Sequence, residues 1–109
     1  MAYSKIAEAN QLQPGEMKSF PLESKTVLLA NVDGTFYALD NKCPHMGGNL
    51  AGGVLEDTTV TCPRHGAKFD VRTGQNLGSA KIAFVKMNVS DAKAFPVKIN
   101  GNDILVELG

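Results

Sequence analysis

The chain has 109 residues, 43% hydrophobic and 20% charged, which indicates one globular domain over residues 1–109 rather than a disordered chain. Its 11 basic residues balance its 11 acidic ones, so it lacks the positive charge typical of nucleic-acid-binding proteins. No apolar run approaches the length of a membrane span, and residues 1–5 contain no apolar signal core. We therefore expect a cytoplasmic protein without nucleic-acid or membrane partners.

Short strand-like segments separated by turn signals run along the chain and predict an all-β, antiparallel fold. The predicted strands are 5–9, 16–22, 25–32, 35–39, 54–55, 58–61, 95–99 and 104–108. Asp33-Gly34 and the residues 100–103 are typical hairpin turns between the strands that flank them. One helical turn is expected at 90–93, before Pro96. The aromatic residues expected in the core are Phe36, Tyr37, Phe69 and Phe95.

Residues 41–78 differ in composition from the rest of the chain. They hold 7 of the 11 glycines, both cysteines and both histidines. This composition predicts a loop-rich subdomain inserted into a β scaffold.

The chemistry of this segment lies in two short clusters, Cys43-Pro44-His45 and Cys62-Pro63-Arg64-His65. Together they form C-x-H, then 16 residues, then C-x-x-H. Each cluster offers one thiolate and one imidazole, and the proline holds the preceding cysteine in an extended conformation. Both clusters can therefore direct their side chains at one centre.

Several sites fit this set of side chains. Two cysteines and two histidines can bind a structural zinc, although common zinc sites pair like residues at other spacings. The same residues can hold a [2Fe–2S] cluster, with thiolates on one iron and imidazoles on the other. They can also bind nothing, whereas a disulfide is disfavoured in a reducing compartment.

These clusters resemble the Rieske iron–sulfur motif. The resemblance extends to the hairpin at 27–39, the run from His65 to Asp70 and the turn Arg72-Thr73-Gly74. It implies a Rieske-like antiparallel β-sandwich that carries one [2Fe–2S] cluster and a cluster-binding subdomain at about 41–78.

The resemblance also implies a role for each ligand. Cys43 and Cys62 would hold the inner iron, and His45 and His65 would hold the outer iron near the protein surface. Further contacts to the cluster are expected from Met46, Gly47, Gly48, Gly66 and Ala67. The expected rim of the docking tip is formed by Met46, Pro63 and Arg64.

The residues after the second ligand histidine favour a low reduction potential. High-potential relatives have Ser and Tyr hydroxyls where this chain has Ala67 and Phe69, neither of which can donate a hydrogen bond. The chain also has no additional cysteine pair for a loop disulfide. Since hydrogen bonds to the cluster sulfurs stabilise the reduced state, we expect a potential of about −150 mV.

The resemblance thus predicts a soluble one-electron carrier rather than an enzyme. It would pass electrons from a flavin-dependent reductase to the terminal oxygenase of an aromatic-ring-hydroxylating dioxygenase system, as a monomer that docks transiently through the His45/His65 tip. One alternative is the small Rieske-like subunit of an assimilatory nitrite reductase, and another is a structural zinc module that binds a protein. Residues 76–93 contain no proline, unlike the loop of related ferredoxins, which leaves the physiological partner open.

Overall fold

The computed structural model describes residues 3–42, 49–63, 66–79 and 91–108. Within these ranges the regular structure consists of strands and two 3-10 turns at Ala9–Gln11 and Leu50–Gly52, and the all-β prediction is confirmed. The strands are β1 (Tyr3–Glu8), β2 (Met17–Leu22), β3 (Lys25–Val32), β4 (Thr35–Asp40), β5 (Val54–Glu56), β6 (Thr59–Thr61), β7 (Ala67–Asp70), β8 (Asn76–Ser79), β9 (Ala94–Phe95), β10 (Val97–Asn100) and β11 (Asp103–Glu107). The described part of the chain contains no helix able to cross a membrane.

The strands pair antiparallel into three sheets. The terminal sheet has the order β1-β11-β10, the central sheet β2-β3-β4-β9, and the loop sheet β5-β6-β7-β8. The loop sheet is formed entirely within residues 54–79, so the cysteine- and histidine-bearing segment has strands of its own. The division into one domain with a subdomain at 41–78 stays a prediction.

Strand β3 of the central sheet is buried on both faces. In β3 the fully buried side chains of Leu28 and Ala30 pack into one apolar cluster, and those of Val27 and Leu29 pack into another. This is why β3 is a continuous apolar run instead of alternating with polar residues. The central sheet therefore links two cores.

The loop-side core lies between the central and loop sheets, and the terminal-side core lies between the central and terminal sheets. The buried residues of the loop-side core are Leu28, Ala30, Leu39, Leu50, Val60, Cys62, Ala67, Phe69, Val71 and Ala92. Those of the terminal-side core are Ala7, Leu12, Val27, Leu29, Ala38, Phe95, Ile104 and Val106.

Four aromatic residues were predicted to lie in the core, and the prediction is right for two of them. Phe69 and Phe95 are buried in the two cores. Phe36 and Tyr37 are only half-buried, because they lie near the turn end of β4 and pack against the margins of opposite cores.

The prediction of a helical turn at 90–93 is wrong over its described part, Asp91 to Lys93, which is not helical. The backbone groups there bond to other segments. The Ala92 N–H donates to the Gly74 carbonyl at 2.7 Å, and the Lys93 carbonyl accepts from the Asp40 N–H at 2.8 Å. These contacts with distant segments outweigh the weak local preference for a helix.

Residues 91–93 contact a tight turn that follows β7. Gly74 has a φ of +80°, and its N–H donates to the Asp70 carbonyl at 2.6 Å. A Cβ atom on Gly74 would collide with the Ala92 carbonyl oxygen. Glycine is thus required both by the left-handed conformation and by the close approach of the second chain segment.

The same turn contains a bidentate ion pair between Asp70 and Arg72. The Asp70 carboxylate accepts from Arg72 Nε at 3.0 Å and from Arg72 Nη2 at 2.8 Å, and also from the Arg72 N–H at 2.9 Å. The hydrogen-bonded Arg72 guanidinium holds the pKa of the Asp70 carboxyl below its ordinary value. The carboxylate is buried and the guanidinium is half-exposed, so the pair closes the turn from its solvent side.

Gly74→Ala is expected to lower the free energy of unfolding by about 3 kcal/mol, because it adds a clash with Ala92 to the cost of the left-handed backbone. Gly34→Ala is the matched control, since Gly34 has a φ of +90° with nothing within 4 Å of an added Cβ. Urea unfolding of both variants measures the difference. Equal losses would show that the contact with Ala92 adds nothing.

Asp70→Asn is expected to lower the free energy of unfolding by about 1 kcal/mol at pH 7, because the charged hydrogen bonds to Arg72 weaken. The native-state pKa of Asp70 is lowered, so its contribution is complete above the unfolded value of about 3.9 and is lost as pH falls through the native value. The difference between wild type and variant should therefore stay constant from pH 7 to 5 and shrink towards pH 3. A difference that does not change between pH 7 and pH 3 would contradict this role of the carboxylate.

Candidate metal centre

The predicted site residues lie in or directly beside two loops, which we define as the first loop (43–48) and the second loop (63–66). Of the predicted residues, the structure describes Cys62, Gly66 and Ala67. Outside the described residues lie Cys43, His45, Met46, Gly47, Gly48 and His65, together with Arg64 of the predicted docking rim. The described residues on either side of each loop show where its two ends are held.

The second loop is closed by the pairing of β6 with β7. Thr61 lies opposite Lys68, and the next pair continues the ladder, because the Cys62 N–H donates to the Ala67 carbonyl at 2.7 Å. The Gly66 N–H then donates to the Cys62 carbonyl at 3.2 Å, with a φ of +74° at Gly66. A glycine at this position lets the chain reverse direction within a few residues of Cys62.

Cys62 is a free cysteine that is 2% exposed and packs in the loop-side core beside Val60 and Ala67. A thiol in such apolar surroundings is shielded from solvent and does not suit the role of an exposed nucleophile. It suits a soft metal ligand on the inner side of a centre. The described environment therefore fits the inner-iron role that the sequence predicts for Cys62.

Ala67 and Phe69 are fully buried and face the same core, as neighbours two positions apart on β7. Neither side chain carries a polar hydrogen. Ala67 and Phe69, which stand where high-potential relatives have Ser and Tyr, thus lie on the core side of β7. The backbone carbonyl of Ala67 accepts a hydrogen bond from the Cys62 N–H.

The first loop is held at both ends. Lys42 and Asn49 form an antiparallel bridge, and the Leu50 N–H donates to the Asn41 carbonyl at 2.9 Å. The Asn41 side chain bonds to Asn49 and to the Ala51 N–H. The residues before and after the first loop therefore lie next to each other.

The two loop bases lie side by side. Leu50, which follows the first loop, and Cys62, which precedes the second, belong to the same apolar core. At Gly53 an added Cβ would collide with the Thr61 carbonyl oxygen and lie 3.1 Å from Pro63 Cδ. Because the chain leaving the first loop touches the chain entering the second, ligands from both loops can reach one centre.

Two lysines and one aspartate lie near the base of the first loop. An open polar groove of about 350 Å³ is lined by Ser24, Lys25, Thr26, Asp40, Asn41, Lys42 and Asn49. Lys25 Nζ lies 3.6 Å from Asp40 Oδ2, so one of the two lysines is paired.

Among the described residues, no group of three His, Cys, Asp or Glu side chains could hold a metal, and three of the four predicted ligands lie outside them.

Sequence reasoning missed the residues that hold the loops in place. Gly53 carried a signal, as part of the glycine-rich composition of 41–78. Asn41 and Asn49 carried none, because side-chain amides that bond to each other or to nearby backbone have no characteristic spacing.

Comparisons with known proteins agree with this geometry. A model of the Rieske [2Fe-2S] domain matches residues 2–87. The ferredoxin component of biphenyl 2,3-dioxygenase from Rhodococcus jostii (strain RHA1) is 41% identical over 108 residues, which cover 99% of this chain and 94% of that protein. The ferredoxin component of the naphthalene 1,2-dioxygenase system from Pseudomonas aeruginosa is 35% identical over 98 residues, which cover 90% of this chain and 88% of that protein.

A solved structure shows the same fold. The ferredoxin of carbazole 1,9a-dioxygenase from Nocardioides aromaticivorans IC177 superposes with a TM-score of 0.83 at 29% identity, over 97% of each chain. The donor set, the buried Cys62 and the adjacent loop bases fit a Rieske centre. The chain belongs to the Rieske [2Fe–2S] domain family, and its cofactor is a Rieske [2Fe–2S] cluster.

Proposed function

We propose that this chain is the ferredoxin component of an aromatic-ring dioxygenase system and carries single electrons to its terminal oxygenase. The observation that carries the proposal is the likeness along the full length of the chain to ferredoxin components of biphenyl and naphthalene dioxygenase systems. Such a protein is an electron carrier and transforms no substrate itself. A chain of this size needs only a redox centre and a surface that partners can reach.

The proposed ligands are Cys43 and Cys62 for the inner iron and His45 and His65 for the outer iron. When bound, the cluster supplies a site that takes up and gives up one electron. The described residues keep water from the thiolate side: Cys62 is buried and Val60 and Ala67 pack around it. Met46, Gly47, Gly48, Gly66 and Ala67 are the proposed further contacts of the cluster.

The proposed docking surface is the tip that carries His45 and His65. The second loop begins with the exposed Pro63, and beside it lies Val54, a residue that is 56% exposed and whose backbone pairs with Thr61. Exposed apolar side chains next to a redox centre suit brief contacts with more than one partner, and such electron-transfer interfaces are small. A flavin-dependent reductase is the proposed donor and the terminal oxygenase the proposed acceptor, with the ferredoxin acting as a cytoplasmic monomer.

The dithionite-reduced protein is expected to show a rhombic electron paramagnetic resonance signal with the low average g of a histidine-ligated cluster. Cys62→Ala should abolish the signal, because one thiolate ligand is lost. Val60→Ala is the matched control: it truncates an equally buried neighbour of Cys62 and should keep the signal. A colourless protein that contains zinc and shows no electron paramagnetic resonance signal would contradict the electron-carrier proposal.

Ala67→Ser is expected to raise the reduction potential above that of the wild type, which we expect at about −150 mV, because a hydroxyl beside Cys62 can donate to sulfur and stabilise the reduced state. Ala38→Ser is the control, since Ala38 is also buried but faces the terminal-side core. Spectroelectrochemical titration of the three proteins measures the shift. Equal potentials in all three would show that the residue 67 side chain does not reach the cluster.

A further inference from the structure

The side chain of Asn41 joins the two ends of the first loop. Its Nδ2 donates to Asn49 Oδ1 at 2.6 Å, and its Oδ1 accepts from the Ala51 N–H at 2.9 Å. Both of its partners lie after the loop, whereas Asn41 itself lies two residues before Cys43. One amide thus connects the residues that enter the loop with the residues that leave it.

This amide is buried, since Asn41 is 8% exposed. Removing a hydrogen-bond partner from a buried polar group leaves that group unsatisfied, at a cost of about 1–3 kcal/mol. The two bonds of Asn41 are partly buried, so water replaces them less easily than those of an exposed asparagine.

The backbone of Asn41 is held independently of its side chain. Its N–H donates to the Thr26 carbonyl of β3 at 3.0 Å, and its carbonyl accepts from Leu50. Loss of the side-chain amide would leave the entry to the loop attached to the central sheet. It would loosen the exit at Asn49 and Ala51, which would then be held only by the backbone bridge from Lys42 to Asn49 and the bond from the Leu50 N–H.

We propose that Asn41 is a positioning residue of the metal centre, whose amide fixes the exit of the first loop against its entry and so keeps Cys43 and His45 in place. The inference rests on the proposed function, because it takes the first loop to carry two cluster ligands. Among the described residues, the side chain of Asn41 bonds to Asn49 and to the Ala51 N–H, and not to Cys62. It acts through the backbone of residues 49–51.

The test compares Asn41→Leu with Asn41→Asp in the cluster-loaded protein. Leucine fills a similar volume but makes neither bond. Aspartate keeps the acceptor for Ala51, and the Asn49 amide can turn so that its Nδ2 donates to the second carboxylate oxygen. We expect Asn41→Leu to lose its visible absorption to an iron chelator about tenfold faster than wild type, and Asn41→Asp to stay close to wild type.

Asn31 provides a matched control. Its buried amide also makes two bonds, from Nδ2 to the Leu12 carbonyl at 2.9 Å and from the Gly34 N–H to Oδ1 at 2.8 Å. It lies opposite Phe36, at the turn end of the β3–β4 hairpin, whereas Asn41 follows the other end. Asn31→Leu should lower the urea midpoint of unfolding to a similar extent without accelerating chelation beyond that loss of stability.

The outcomes separate a positioning role from a general effect on stability. Faster chelation in Asn41→Leu than in Asn31→Leu at matched urea midpoints supports the proposal, as does a broadened electron paramagnetic resonance line confined to the Asn41 variant. Equal chelation rates at matched midpoints overturn it. So does an Asn41→Asp variant that loses its cluster as fast as Asn41→Leu.

Asn49→Ala decides the question if Asn41→Leu does not fold. Asn49 is exposed, and its truncation removes the same Asn41–Asn49 bond from the solvent side. Faster chelation supports the inference, and a wild-type rate overturns it. The proposed function fails separately, when the wild-type protein itself shows no Rieske signal.

Discussion

The burial of β3 on both of its faces is the constraint on which the rest of the structure depends. Leu28 and Leu29 are adjacent in the chain, yet one packs against the loop sheet and the other against the terminal sheet. A strand buried in this way fixes its register firmly, because a slip by one residue would exchange the two faces. The loop sheet and the strands near both chain ends are therefore positioned by one shared element.

This arrangement holds the bases of the two loops of the metal centre. Cys62 and Leu50 belong to a core that also contains Leu28 of β3, so the bases of both loops are packed against the central sheet. A ligand on a flexible loop would have to be ordered when the metal binds. A ligand whose neighbours are already packed needs less ordering, which favours a stable centre of constant geometry.

Local signals predicted the local parts of the fold. The Asp33-Gly34 hairpin and the strands that flank it were found because turn chemistry and apolar patterning act within a few residues. β8 (Asn76–Ser79) was not predicted, because its residues have little intrinsic strand preference and the strand is formed by pairing with β7. The prediction of a helical turn at 90–93 was wrong for a similar reason. The Ala92 N–H bonds to the Gly74 carbonyl, which is distant in sequence. At the site, spacing pointed to Cys62, but no pattern pointed to the Asn41 amide.

Cys62 lies in the loop-side core and is also a proposed cluster ligand, and this double role would couple the cluster to the fold. Its side chain is part of the loop-side core, which includes Leu28, Leu50 and Ala92 from three separate segments of the chain. If Cys62 ligates iron, metal binding stabilises only the arrangement in which these segments are packed together, so binding free energy contributes to folding free energy. Conversely, loosening of this core would move the proposed ligand Cys62. The centre and the core of this ferredoxin are therefore expected to be lost together, because one buried side chain is common to both.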